Sequence, residues 1–188
     1  MKVIISTVLA LGLVLGAQTA RASEHELYYA QAGAMLNYAE AEVRVLYAAV
    51  TQRVFDPTIT RQATDELERI LEQAKRQVGR TGTLLPEAMS KHEGAVGALK
   101  EQIIEAERQL QKFDSIVEEA ITALTADEDE LEEGEEPPET DWSAIRSSCA
   151  WLAKDIKEAK TTYAGVSRRL GMKPIRFPPP PRGKRAAD

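Results

Sequence analysis

Three groups of side chains in this sequence could carry chemistry: two histidines, His25 and His92, one cysteine, Cys149, and a dense run of carboxylates in residues 127–141. His92 stands three residues, about one helical turn, after Met89. A Met/His pair of that kind suits non-covalent haem or a copper ion. In an alternating bundle the helices bearing His25 and His92 would run parallel and bring both imidazoles toward one end. A hydrogen-bonded histidine at the edge of a core has the same spacing. Di-iron bundles need Glu-x-x-His pairs, and the residues three before the two histidines are Ala22 and Met89. There is also no Cys-x-x-Cys-His for covalent haem attachment.

The remaining catalytic signatures are missing. The chain has no H-E-x-x-H, no G-x-S-x-G, no G-x-G-x-x-G and no glycine-rich loop ending in Lys-Ser/Thr. The stretch Gly79-Arg80-Thr81-Gly82 has the composition of an anion-binding nest, and equally that of a plain interhelical turn. A calcium loop opening at Asp127 would want an oxygen ligand at its fifth position and glycine at its sixth, where this chain has Leu131 and Glu132. The inventory therefore predicts a non-catalytic protein, with no resident metal and no cofactor.

The elements that would position these groups are helical. Across residues 86–125, apolar residues recur seven apart at Met89, Val96, Ile103, Leu110, Val117 and Leu124. A second row follows three residues behind, at His92, Leu99, Ala106, Phe113 and Ala120. That alternation of three and four is a heptad seam. An unbroken helix of this length would span about 60 Å and needs partner helices throughout. Similar stripes run through Tyr29, Ala32, Leu36, Ala39, Val43, Leu46 and Val50, then through Ala63, Leu67, Ile70, Ala74 and Val78. The last seam pairs Trp142, Cys149, Ile156, Tyr163 and Leu170 with Ile145, Leu152, Ala159 and Val166. Cys149 thus falls on a core position, which predicts a buried structural thiol.

Boundary signals divide these stripes. Asp56-Pro57 closes one helix and opens the next, with Asp56 as cap and Pro57 first in the helix. Gly79 is placed to end the second helix, and Pro86 to start the third. Gly94 and Gly97 would weaken the third helix, mark a bend, or admit a close neighbour. Gly171 suits a left-handed helix end, Met172 can pack back, and Pro174 forbids continuation. The predicted helices cover residues 24–54, 57–78, 86–125 and 141–170, with an acidic connector at 126–140. The expected fold is all-α: an antiparallel four-helix bundle with coiled-coil-like heptad packing. Its second helix looks short, so the other three would project as a thinner coiled coil. A helical hairpin completing its core as a homodimer is the alternative.

The ends of the chain carry the functional expectations. Met1-Lys2, a largely apolar run over residues 3–17 and the A-x-A site at Ala20 and Ala22 make a secretory signal, cut after Ala22. The run is short for a membrane span, which takes about 20 residues, so the processed protein is not expected to be integral to a membrane. The sparse start looks bacterial, pointing to a periplasmic or secreted protein. Residues 23–141 hold 11 basic and 27 acidic side chains, and residues 142–188 hold 11 basic and 3 acidic. The net charge of −6 argues against nucleic acid as a partner. The tail at 172–188 contains four consecutive prolines, Pro178 to Pro181, and five cations: Lys173, Arg176, Arg182, Lys184 and Arg185. An extended polyproline arm of that charge suits an anionic surface or an envelope protein. The expectation is an exported binding, scaffolding or chaperone-like envelope protein; the alternative is a small metal- or haem-binding periplasmic bundle.

Overall fold

Where each helix begins is set by short-range chemistry. Ser23 precedes α1 (Glu24–Thr51), and its N–H donates to the Glu26 carboxylate at 3.0 Å. That contact gives a group outside the helical ladder a partner. Asp56 caps α2 (Pro57–Thr83) by accepting from the Ile59 N–H at 3.0 Å, with Pro57 in the first turn. Asp141 does the same for α4 (Trp142–Arg169), accepting from Ser143 and Ala144. The computed structural model describes residues 23–52, 56–125 and 140–172, and only the backbone of residues 57, 58 and 123–125. The described residues are overwhelmingly helical and include no strand.

Three expected boundaries are corrected. The second helix does not stop at residue 78 but runs on to Thr83, so the supposed Gly79–Gly82 nest is helical. Its last turn is held by packing: Thr81 is fully buried and its hydroxyl donates to the Gln77 carbonyl at 2.9 Å. Beside it, Gly82 lies under Val96 of the third helix. These contacts offset the cost of two helical glycines, about 1 kcal/mol each. With 27 residues this helix matches its neighbours, and the projecting coiled coil does not arise. The third α-helix, α3 (Glu93–Thr125), starts seven residues later than expected, after a 3-10 stretch at Glu87–His92. Only Met89 of that stretch packs on the core, so little burial favours the α-helical period there. Gly94 and Gly97 meet no close neighbour. The first helix ends at Thr51, three residues short of the expected 54.

The four helices pack in a ring: α1 on α2, α2 on α3, α3 on α4, and α4 back on α1. Cross-helix contacts fix the directions. Arg80, near the end of α2, covers the Tyr28 ring near the start of α1. Arg61 at the start of α2 meets Glu118 late in α3, and Tyr29 early in α1 meets Tyr163 late in α4. Each neighbouring pair is therefore antiparallel. Inside the ring lies one apolar cluster containing Val96, Leu99, Ile103, Leu110, Phe113, Ile145, Leu152 and Ile156. The seam residues are thus inside, although Trp142 and Met89 are only partly covered and Val45 and Tyr47 are exposed.

Ring closure depends on a tight meeting of α1 and α4. The rings of Tyr29 and Tyr163 stack with centroids 4.5 Å apart. The Tyr29 hydroxyl donates to the Tyr163 carbonyl at 2.6 Å, and the Ser167 hydroxyl donates to the same oxygen at 3.0 Å. Gly33 lies directly beneath the Tyr163 ring, where an added Cβ would overlap it. The chain then ends α4 with Gly171 at φ 68°. The Met172 N–H reaches the Ser167 carbonyl at 2.9 Å and the Gly171 N–H that of Arg168 at 3.2 Å, and Met172 packs on the core. This is the left-handed close read from Gly171 and Pro174.

Two substitutions test this packing by urea denaturation. Ile103→Ala, which empties a fully buried site, is expected to cost about 2–5 kcal/mol. Gly33→Ala, conservative by helix propensity, is expected to destabilise by about 1–3 kcal/mol because the Tyr163 ring must move. A stabilised Gly33→Ala protein would show that α1 and α4 do not meet this closely.

Candidate functional site

Beside its apolar row, α2 carries a charged row at Arg61, Asp65, Glu68, Glu72 and Lys75, spaced by three and four residues. A matching row on α3 holds Glu107, Gln111, Asp114 and Glu118. Such spacing puts each row on one helix face. The packing of α2 on α3 sets the two rows side by side.

Two bridges span the junction. Lys75 Nζ donates to Glu107 Oε2 at 2.6 Å, and Arg61 grips Glu118 with two hydrogen bonds, the Nε one at 2.6 Å. The Arg61 hydrogen bond holds the Glu118 carboxyl below its usual range. A hydrogen bond from Arg76 does the same for Glu72. Exposed pairs of this kind contribute little to stability. Between the bridges lies a hollow of about 260 Å³, walled by Asp65, Glu68, Glu72, Glu107 and Asp114 with Lys75 as its one cation, and with Leu110 at its base. It offers acceptors and negative charge, which is the chemistry of a surface that receives cationic groups. Sequence reading passed it over, although the spacing of Asp65, Glu68 and Glu72 was there to be read.

A second charged contact closes α4 on α1. Lys160 donates to Glu40, which also takes a hydrogen bond from Arg44. Burial alone would raise the Glu40 pKa, but the two cations hold it below the usual carboxylate range. Farther along α4, Trp151 is 56% exposed with the Lys154 ammonium 4.6 Å from its ring centroid.

The groups expected to do chemistry are placed otherwise. Cys149 is fully buried, and burial pushes its thiol from 9.0 up to about 12. His25, expected only near a helix start, is the buried histidine, with Ser23 Oγ 3.4 Å from its Nε2. His92, expected on the seam, ends the 3-10 stretch and is half-buried, as is Met89. Among the described residues no three His, Cys, Asp or Glu side chains are grouped to hold a metal ion. No described helix is long and apolar enough to cross a membrane. Ala20 and Ala22 of the cleavage site, and Lys173, Arg176, Arg182, Lys184 and Arg185 of the tail, lie outside the described residues. No protein-family model, curated protein or solved structure matches this chain.

The buried ionisable groups generate a pH prediction. Burial also raises the Tyr163 hydroxyl to about 12 and the Tyr29 hydroxyl well up. The fold keeps all three groups protonated, whereas the unfolded chain releases their protons as pH passes their ordinary values of 9.0 and 10.0. Alkali therefore favours the unfolded state, and this part of the stability is lost progressively from about pH 9 upward. The urea midpoint should be flat from about pH 7 to about pH 8.5 and fall above that. In native protein at neutral pH, Cys149 should resist alkylation and should react once urea unfolds the chain; rapid native labelling would contradict its burial.

Proposed function

We propose that this protein is an exported, non-catalytic helical bundle that binds or scaffolds other components of a bacterial envelope, periplasmic or secreted. The observation that carries the reading is the distribution of charge. The folded body presents the acidic α2–α3 groove, while the basic side chains that outnumber acids after residue 142 end in the proline-rich tail. Opposite charge on two parts of one chain suits a protein that bridges partners. The reactive groups fit this reading, because the thiol and both stacked tyrosines are enclosed by the core and hold it together.

The finer architecture belongs to the same proposal. Rows of residues seven apart on α3 and α4 are buried, which supports packing of the coiled-coil kind along the bundle axis. A cut after Ala22 would leave Ser23, the residue preceding α1, at the new terminus, so processing would spare the helix start. The tail is the contact arm: its prolines lose little entropy on docking and its five cations favour an anionic surface or an acidic face of an envelope protein.

Because Met172 packs on the core, the informative truncation falls after Met172. Chain ending there should melt within about 2 °C of the full chain. It should also lose low-salt binding to vesicles containing anionic lipid, binding that about 0.5 M salt abolishes in the full chain. Full chain that binds no anionic vesicle or acidic polymer at low salt would end the contact-arm reading. Stoichiometric uptake of haem or copper, seen by absorbance and lost in Met89→Ala/His92→Ala protein, would favour the metal- or haem-binding alternative instead.

A further inference from the structure

Packing in a ring puts two helix junctions on opposite sides of the bundle. The α2–α3 and α4–α1 junctions share no helix, so each looks away from the other. The first holds the acidic hollow, with five carboxylates in its wall and Lys75 as the cation among them. Asp65, Glu68 and Asp114 of that wall form no ion pair among the described residues.

The second junction is opposite in sign. On α4, Arg146, Ala150, Ala153, Lys157 and Lys160 follow in steps of four and three, and Arg168 continues the row. Such spacing keeps them on one side of the helix, and the bond from Lys160 to Glu40 turns that side toward α1. Lys160 and Arg44 share Glu40, which leaves one cation in excess before Arg146, Lys157 and Arg168 are added. Those three form no ion pair among the described residues. The Nε of Arg146 is buried without a hydrogen-bond partner, and Lys157 and Arg168 are exposed.

We propose that the basic α4–α1 face of one copy of this chain docks on the acidic α2–α3 face of another. The complement to the hollow is carried by the same body, on helices of nearly equal length. It also has the same residue steps, since Arg61, Asp65, Glu68, Glu72 and Lys75 follow in fours and threes on α2. With Ala150 and Ala153 between the cations, no bulky side chain holds the two bundles apart there. A face about 40 Å long and two helices wide offers about 800 Å² to each partner, the size of an ordinary specific interface. Charge rather than apolar area holds it, so the contact forms at low ionic strength and is screened by salt. Because the two faces are different patches on opposite sides, the contact is heterologous and continues as an open stack. The inference rests on reading the hollow as a surface for cationic groups, and neither on export nor on the tail.

Sedimentation equilibrium of the full chain tests it. In about 10 mM salt the weight-average mass should rise with concentration to about twofold the monomer or more, and about 0.5 M salt should return it to the monomer. Asp65→Lys/Glu68→Lys and Lys157→Glu/Arg168→Glu proteins should each remain monomeric alone, because two reversals cancel the excess charge of either face. Mixed in equal amounts they should pair one to one and stop at two copies, since each keeps one intact face. Circular dichroism checks that both variants keep their helices. A full chain that stays monomeric at low salt, a variant that still associates alone, or a mixture that does not pair would each overturn the proposal. A monomeric full chain that nevertheless binds a five-lysine peptide, with binding lost in Asp65→Lys/Glu68→Lys protein, would overturn self-association and leave the hollow as a cation-receiving surface. A monomeric chain that binds no such peptide would end both readings.

Discussion

Closure of the ring rests on how closely α4 can approach α1. A bundle of four helices needs its last member to return to its first, and here the returning face brings a tyrosine ring. Gly33 has no Cβ to keep that ring away, so Tyr163 lies flat against the α1 backbone and stacks on Tyr29. The stack is also a polar junction. The Tyr163 carbonyl accepts from both the Tyr29 and Ser167 hydroxyls, so phenol and serine enter the core with partners and avoid the cost of an unpaired buried donor. With α1 and α4 joined in this way, the inner rows of all four helices face a common axis and can exclude water together.

Charge works differently in this molecule. Its ion pairs lie at the surface or half-buried at helix junctions, and several join residues three or four apart on one helix. Such pairs add tenths of a kcal/mol and are screened by salt. What they organise is the surface. Lys160 and Arg44 share Glu40 where α4 meets α1, and Lys75 and Arg61 bracket the acidic hollow between α2 and α3. Stability comes from the core, and the surface charges shape the field around the folded body.

The groups that could react are held by packing. A thiol raised to about 12 is a neutral small hydrophobe at any physiological pH, and it belongs to the same apolar cluster as Ile145, Leu152 and Ile156 of its own helix. The histidine that lies inside is next to a helix start and beside Ser23, while the one that remains half-open is in a 3-10 turn carrying a single core contact. Cys149 and His25 are thus enclosed by the core and a helix end, while the carboxylates of residues 127–139 lie outside the described residues.

Much of this was legible in the sequence because it depends on neighbours within one or two turns. The rows at Ile103, Leu110 and Val117 and at Cys149, Ile156 and Tyr163 announce buried faces, Asp56-Pro57 announces a helix start, and Gly171 with Pro174 announces an end. Four helices with one inward stripe each leave few arrangements besides a bundle. The acidic rows on α2 and α3 were legible as rows, but their meeting in a groove was not. Nor was the continuation of α2 through Gly79, since the residue that rewards it, Val96, belongs to the next helix. The role of Gly33 was hidden for the same reason: the ring that needs the missing Cβ sits on another helix, far along the chain. Local periodicity and caps act over one or two helical turns and are written into the sequence in order. Which faces meet, and which glycine is a contact rather than a weakness, is decided only when distant helices pack, because that energy belongs to pairs the linear order does not name.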